Sequence, residues 1–189
     1  RLDEAVGTHQ VGKPELPVRL LRFALPVGTV AVSAYARAVS SSELPGEYLL
    51  RPAQPEVPLS MPETARWVEP APVAYASSLP YPANGCELLD TGTASGQPVA
   101  TVAVYPVRYT ASSGRLVLSE QLEITVELER ARAAARRPGP LSALSAEVAA
   151  KRLRSLVVNP DDVNLTTSRG TRAECDYLII TSSSYASTF

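Results

Sequence analysis

The chain carries one histidine, His9, and two cysteines, Cys86 and Cys175, so the side chains that most often serve as bases and nucleophiles are nearly absent. A histidine-based dyad or triad needs an imidazole held firmly beside its partner. His9 lies in a polar, turn-rich N-terminal stretch that offers no such frame. Cys86, in Asn84-Gly-Cys86, lacks the flanking pattern of a nucleophile and reads as a half-buried turn cysteine. The two cysteines are far apart in sequence, in no metal-like spacing, and too few for a disulfide framework, so they read as unlinked thiols. No Gly-rich phosphate loop, paired-carboxylate motif or metal-ligand cluster occurs. No catalytic residue, metal site or cofactor is therefore expected within this chain.

Two arginine groups remain. Arg130, Arg132, Arg136 and Arg137 fall in RARAAARRPGP (130–140), between the end of a strand pattern and a rigid Pro-Gly-Pro breaker. These residues suit an ordinary solvated loop. Arg169 and Arg172, in Thr167-Ser-Arg169-Gly-Thr-Arg172, lie in a Ser/Thr-rich stretch with no hydrophobic pattern. Such a stretch is either a plain linker or an exposed substrate for a processing protease. With 18 basic and 19 acidic residues, nothing suggests a grip on nucleic acid or anionic lipid. No apolar run approaches the ~20 residues of a membrane span, so neither a nucleic-acid partner nor a spanning segment is expected. Asn164-Leu-Thr166 is a formal glycosylation sequon, meaningful only in a eukaryotic secretory context.

The elements that would position these arginines are mostly strands. Proline makes up 17 of 189 residues, above the usual ~5%, which disfavours long helices and suits short strands joined by rigid turns. Val18 to Leu25 reads as a strand closed by Pro26. Thr29 to Val39 reads as a second, with Val30, Val32 and Ala34 on one face and Tyr35, Arg37 and Val39 on the other. Leu44-Pro-Gly46 is a turn, and Pro52 to Tyr81 a proline-studded run of extended pieces. Val99 to Tyr109 is rich in β-branched and aromatic residues. From Leu116 to Leu128 the even positions are apolar except Glu120, and the odd ones mostly polar. That period of two marks a strand with one dry and one wet face, joined to the preceding strand by a Gly-ended loop, Thr110 to Gly114.

Beyond the arginine-rich loop the spacing becomes helical. Leu141, Leu144, Val148, Ala149, Leu153 and Leu156 form a broad apolar stripe, with Glu147, Lys151 and Arg154 opposite, predicting an amphipathic helix over about 142–157. Asn159-Pro160 ends it. Tyr177 to Ile180 reads as a strand buried on both faces, followed by hydroxyls from Thr181 to Ser184 suited to capping a helix. A β-sandwich over 1–160, a linker or processing region over 161–173 and the start of an α/β domain over 174–189 are expected.

Several segments resemble the N-terminal prodomain of the gingipain-type cysteine peptidases. They are Gly12-Lys-Pro-Glu-Leu-Pro17, Trp67-Val-Glu-Pro70, Tyr81-Pro82, Val102-Ala-Val-Tyr-Pro-Val-Arg-Tyr109 and Ser113-Gly-Arg-Leu116. Asp176-Tyr-Leu-Ile-Ile-Thr181 is similar to the first strand of that family's caspase-like catalytic domain. The resemblance implies a secreted or cell-surface bacterial precursor. Its prodomain, mainly β with an antiparallel sandwich and one C-terminal helix, would precede the first strand of a truncated caspase-like domain. The partner would be the cognate catalytic domain, kept latent and helped to fold, and the prodomain would be cut away. Arg169 and Arg172 then become processing candidates, and Arg130, Arg132, Arg136 and Arg137 candidates for an inhibitory loop. The family's catalytic His and Cys lie downstream of Phe189. The competing reading is a non-catalytic β-sandwich module for binding or adhesion on a bacterial surface protein. If Leu116 to Leu128 is placed correctly, Ile124→Ala should cost about 2–5 kcal/mol, and an unchanged unfolding midpoint would refute the placement.

Overall fold

The structure is a computed structural model that describes residues 6–7, 10–61, 64, 66–131, 141 and 143–165. Two antiparallel sheets are stacked. The first holds β1 (Val6–Gly7), β2 (Pro17–Ala24), β4 (Cys86–Ala94) and β5 (Gln97–Val104) in the order β1-β2-β5-β4. The second holds β3 (Thr29–Leu44), β6 (Val107–Thr110) and β7 (Arg115–Arg130) in the order β3-β7-β6. Their inner faces meet where Cys86, Val102 and Val104 pack against Ala34, Ala36, Leu122, Ile124 and Val126. The fold is mainly β, an antiparallel two-sheet arrangement with one C-terminal helix, as the sequence predicts.

The hairpin around Thr110–Gly114 is present, with Thr110 opposite Arg115. Gly114 adopts φ +65°, and a Cβ there would come within 3.1 Å of the Tyr48 nitrogen, so glycine fits on two counts. Along β7 the even positions face inward. Leu116 is buried and Leu118, Leu122, Ile124 and Val126 are half-buried, whereas Leu128 is exposed. β7 has 16 residues and β5 only 8, so the far end of β7 overhangs the sheet that covers it. Half-burial places the expected cost of Ile124→Ala toward the lower end of its range.

Several expectations need correction. Val99 to Tyr109 is not one strand: it divides at Tyr105-Pro106, with β5 in one sheet and β6 in the other. Proline has no amide hydrogen and cannot continue a central strand. The Tyr105 amide still donates to Gly85 of the first sheet, while the Pro106 carbonyl already accepts from Ser119 of the second. On β3, Val32 and Val39 are extra residues at bulges and stand exposed, so the core side is Ala31, Ala34 and Ala36. Tyr35 and Arg37 do share the face opposite Ala34, and it is the outward one. Pro72–Tyr75, read as extended, is a single helical turn, α1, with proline where its missing amide costs nothing.

β4 has no clear alternation, because Leu89 is an extra residue at a bulge and Gly92 interrupts the run. Its turn is legible all the same. Ser95 and Gly96 both have positive φ and join Ala94 to Gln97, as a two-residue hairpin loop requires.

A second knot lies at the Gly114 end, where Leu16, Val107, Tyr109 and Leu116 are buried together. The Tyr109 hydroxyl donates to the Tyr48 carbonyl (2.8 Å), which satisfies the polar tip of a ring fully enclosed by its neighbours. Tyr81 and Tyr109 exchange backbone hydrogen bonds, and Gly12 and Lys13 do so with Ala53. The segments that resemble the peptidase prodomain therefore meet here. The proline-rich connector is held to the N-terminal stretch, with the Gln54 amide bridging to both backbone groups of Val68.

Helix α2 (Ala143–Arg154) buries Ala146 and Leu153 and half-buries Ala150, while Leu144 and Val148 are exposed. The stripe predicted from Leu144 and Val148 is thus rotated: the helix turns its small residues to the sheet. Val157, Val163 and Leu165 continue the contact onto Ala24 and Ala94. Val163 and Leu165 thereby lie against the sandwich. Two side-chain amides hold this segment. The Asn159 amide donates to the Ala24 carbonyl and accepts from the Ala24 amide, both at 2.8 Å, filling the open edge of β2. Gln97, only 1% exposed, donates to the Leu25 carbonyl and accepts from the Asn164 amide (2.9 Å). Gln97→Ala should cost about 1–3 kcal/mol for each of the two groups left unsatisfied. It should also make the 157–165 segment the first site of limited proteolysis. A wild-type unfolding midpoint would contradict this account.

Candidate functional site

The end of the sandwich at the β2–β3 connection, Leu25 to Gly28, gathers the chain segments that lead to both groups of candidate arginines. β7 finishes there: Thr29 lies opposite Arg130, and the Ala131 amide donates to the Gly28 carbonyl (2.8 Å). The base of the arginine-rich loop is thereby fixed by a strand pair, and Arg130 is exposed. The C-terminal segment arrives at the same connection through Gln97, which joins Asn164 to Leu25. The loop's root and the segment leading toward Arg169 and Arg172 are thus held at one end of the molecule. Arg132, Arg136, Arg137, Arg169, Arg172 and the 177–180 strand lie outside the described residues.

The cysteine proves structural. Cys86 is not in a turn but opens β4 and points into the core, 3% exposed, and burial pushes its thiol above the ordinary value. That favours the unreactive neutral form. His9 and Cys175 are outside the described residues. Among the described residues no three His, Cys, Asp or Glu side chains come together as a metal site. No helix among them is long and apolar enough to cross a membrane.

A feature without a sequence signal lies on the outer face of the four-stranded sheet. A cleft of about 650 Å³ has Val18, Leu20, Leu89 and Ala103 as its apolar lining and Tyr81 and Tyr105 among its walls. The lining comes from strands distant in the chain, and register alone brings them together: Leu20 is opposite Ala103, which is opposite Glu87. Lys13 lies 5.5 Å over the Tyr81 ring. Arg108 steadies the rim by donating to the carbonyls of Pro82 and Ala83.

The Tyr105 hydroxyl donates to Glu87 Oε2 at 3.1 Å. Burial first, then the hydrogen bond and charge of Glu87, push this phenol from 10.0 up to about 12. The unfolded chain therefore gives up the proton earlier as pH rises. The associated stability is complete below about pH 10 and is lost as pH climbs through 12. In an ultraviolet titration of tyrosinate, Glu87→Gln should move the Tyr105 midpoint only part of the way back, since burial is the larger cause. A midpoint that does not move would show that Glu87 plays no part.

The Propeptide_C25 family model matches residues 2–149. Among solved structures, the chain is similar to gingipain K from Porphyromonas gingivalis, described for its zymogenic latency. That match has 27% identity and a TM-score of 0.53, and covers 67% of this chain and 71% of the other. It is also similar in fold to the complex of RgpB pro- and mature domains from the same bacterium. There the identity is 17%, the TM-score 0.60 and the coverage 85% and 78%. No curated protein matches. With a family model that spans most of the sequence and a sandwich that agrees with it, the chain belongs to the Propeptide_C25 family.

Proposed function

We propose that this chain is the N-terminal prodomain of a secreted, bacterial, gingipain-like cysteine endopeptidase precursor. It keeps its cognate caspase-like catalytic domain latent, helps it fold and is removed by cleavage. The match of residues 2–149 to the propeptide family carries the reading. The similarity to gingipain K, described for its zymogenic latency, supports the inhibitory role. No catalytic group is required of the chain itself. Its work is to occupy a cleft, and affinity for that task comes from a buried patch rather than from the peptide bond joining the two domains.

The loop beginning at Arg130 is the proposed inhibitory element, with Arg132, Arg136 and Arg137 as further candidates for entry into a specificity pocket. Its root, tied to β3 and Gly28, limits the freedom lost on docking. The linker is proposed to begin after Leu165, because Val163 and Leu165 are packed on the sandwich. Cleavage follows Arg169 or Arg172. Latency outlasts that cut until the prodomain dissociates.

The test adds the 189-residue chain to the mature catalytic domain of its own precursor. Changing Arg130, Arg132, Arg136 and Arg137 together to Ala should weaken inhibition about 30-fold, the loss of one pocket-filling anchor worth about 2 kcal/mol. Unchanged inhibition would remove the loop assignment only. Absence of inhibition by the unaltered chain would overturn the latency role and favour the adhesion module. In the precursor, Arg169→Ala with Arg172→Ala should stop the maturation cut, read by mass spectrometry of the new terminus.

A further inference from the structure

The sandwich has two outer faces, and they differ. On the three-stranded sheet, Val32 and Val39 are exposed at bulges, but the regular outward row of Ser33, Tyr35, Arg37, Glu123 and Glu127 is polar and satisfies itself. Ser33 and Tyr35 both donate to Glu127 Oε2, at 2.6 and 3.2 Å, and Arg37 donates twice to Glu123. A surface whose hydrogen bonds and charges are already matched gains little from a partner.

The outer face of the four-stranded sheet is built the other way. Leu20 and Leu89 stand 46% and 51% exposed at the 650 Å³ cleft. Further along the same strands lies a second depression of about 360 Å³, walled by α2, where Leu156 is 47% exposed. The row Arg22–Thr101–Asp90 forms part of the lining of this second depression. Among the described residues, neither Arg22 nor Asp90 has an ion-pair partner. A hollow lined by Leu20, Leu89 and Ala103, continued by one that sets Leu153 and Leu156 beside a pair of opposite charges, matches an interface core with an orienting polar element. Single exposed leucines are commonplace, but hollows aligned along one face are not.

Chain continuity names the occupant. The described segment ends at Leu165, in the cluster with Ala24, Leu153, Val157 and Val163 on this same outer face. The stretch 166–176, even fully extended, carries the chain about 40 Å at most before the strand proposed to open the catalytic domain. That domain is therefore tethered within reach of the four-stranded sheet's outer face, where its chain departs. We infer that the outer face of the four-stranded sheet, from the Leu20–Leu89 cleft to the Leu156 depression, is the surface that seats on the catalytic domain of the same precursor. The inference rests on the prodomain reading above. It adds which face docks and what it requires, namely an apolar surface with an acidic group for Arg22 and a basic group for Asp90.

The experiment uses the 189-residue chain and the mature catalytic domain of its precursor. Leu20→Asp and Leu89→Asp should each weaken inhibition at least tenfold, whereas Thr125→Lys on the opposite face should leave it unchanged. Hydrogen–deuterium exchange on the unaltered chain gives an answer that does not depend on the variants folding. Addition of the catalytic domain should protect the stretches 18–22, 86–90 and 99–105. Inhibition by the unaltered chain with protection instead over 33–37 and 121–127 would overturn the face assignment while leaving the latency role intact. Protection of the first set on concentrating the chain alone, lost in Leu20→Asp, would assign the face to self-association and overturn the proposal. No complex at all would defeat the latency reading, and the docking face with it.

Discussion

The backbone hydrogen that Pro106 lacks decides the architecture. A strand running from Gln97 through Tyr109 would have to stay in one sheet, and it cannot, because position 106 has nothing to donate to a neighbour. The chain spends two residues crossing the sandwich, with Tyr105 still bonded to the first sheet and Pro106 already bonded to the second. That short step sets the spacing between the layers and starts β6 opposite β7. It also leaves the Tyr105 side chain on the outer face, where its hydroxyl finds Glu87 and helps to wall the cleft. The inner packing of Cys86, Val102 and Val104 on Ile124 and its neighbours follows from the same crossing.

Amide side chains do at the other end what backbone does within the sheets. β2 pairs with β5 along one edge and with β1 only at Pro17 and Val18 on the other. The rest of that edge would be open to unwanted pairing. The Val158 amide, donating to Arg22, and the Asn159 side chain close it. Gln97 is buried because the returning segment covers it, and it holds that segment by accepting from the Asn164 backbone amide while donating to Leu25. A valine at either position could supply bulk but neither bond.

How much of this was legible depended on whether the cause was local. The alternation from Leu116 to Leu128 and the Gly114 turn follow from neighbouring residues, and both were readable. Bulges were not: Val32, Val39 and Leu89 look like ordinary strand residues, and only the partner strand reveals them as extra. The α2 stripe was misplaced because leucine at 144 and valine at 148 outweigh alanine on any scale, yet close approach to the sheet favours Ala146 and Ala150. Gln97 and Asn159 carry no pattern, since their partners are 72 and 135 residues away. The cleft joins residues from β2, β4 and β5 by register, which one strand's sequence does not encode. Of the candidate arginines, only Arg130 is among the described residues, at the end of β7.

The double amide attachment has a mechanical consequence. Any pull arriving along the chain from beyond Leu165 meets Asn164 on Gln97 first and Asn159 on Ala24 next, before it reaches a sheet ladder. These links are loaded one after another, as in peeling tape, whereas strands pulled along their length share the load across many bonds at once. The tail therefore acts as a weak link that yields under tension while the sandwich keeps its shape.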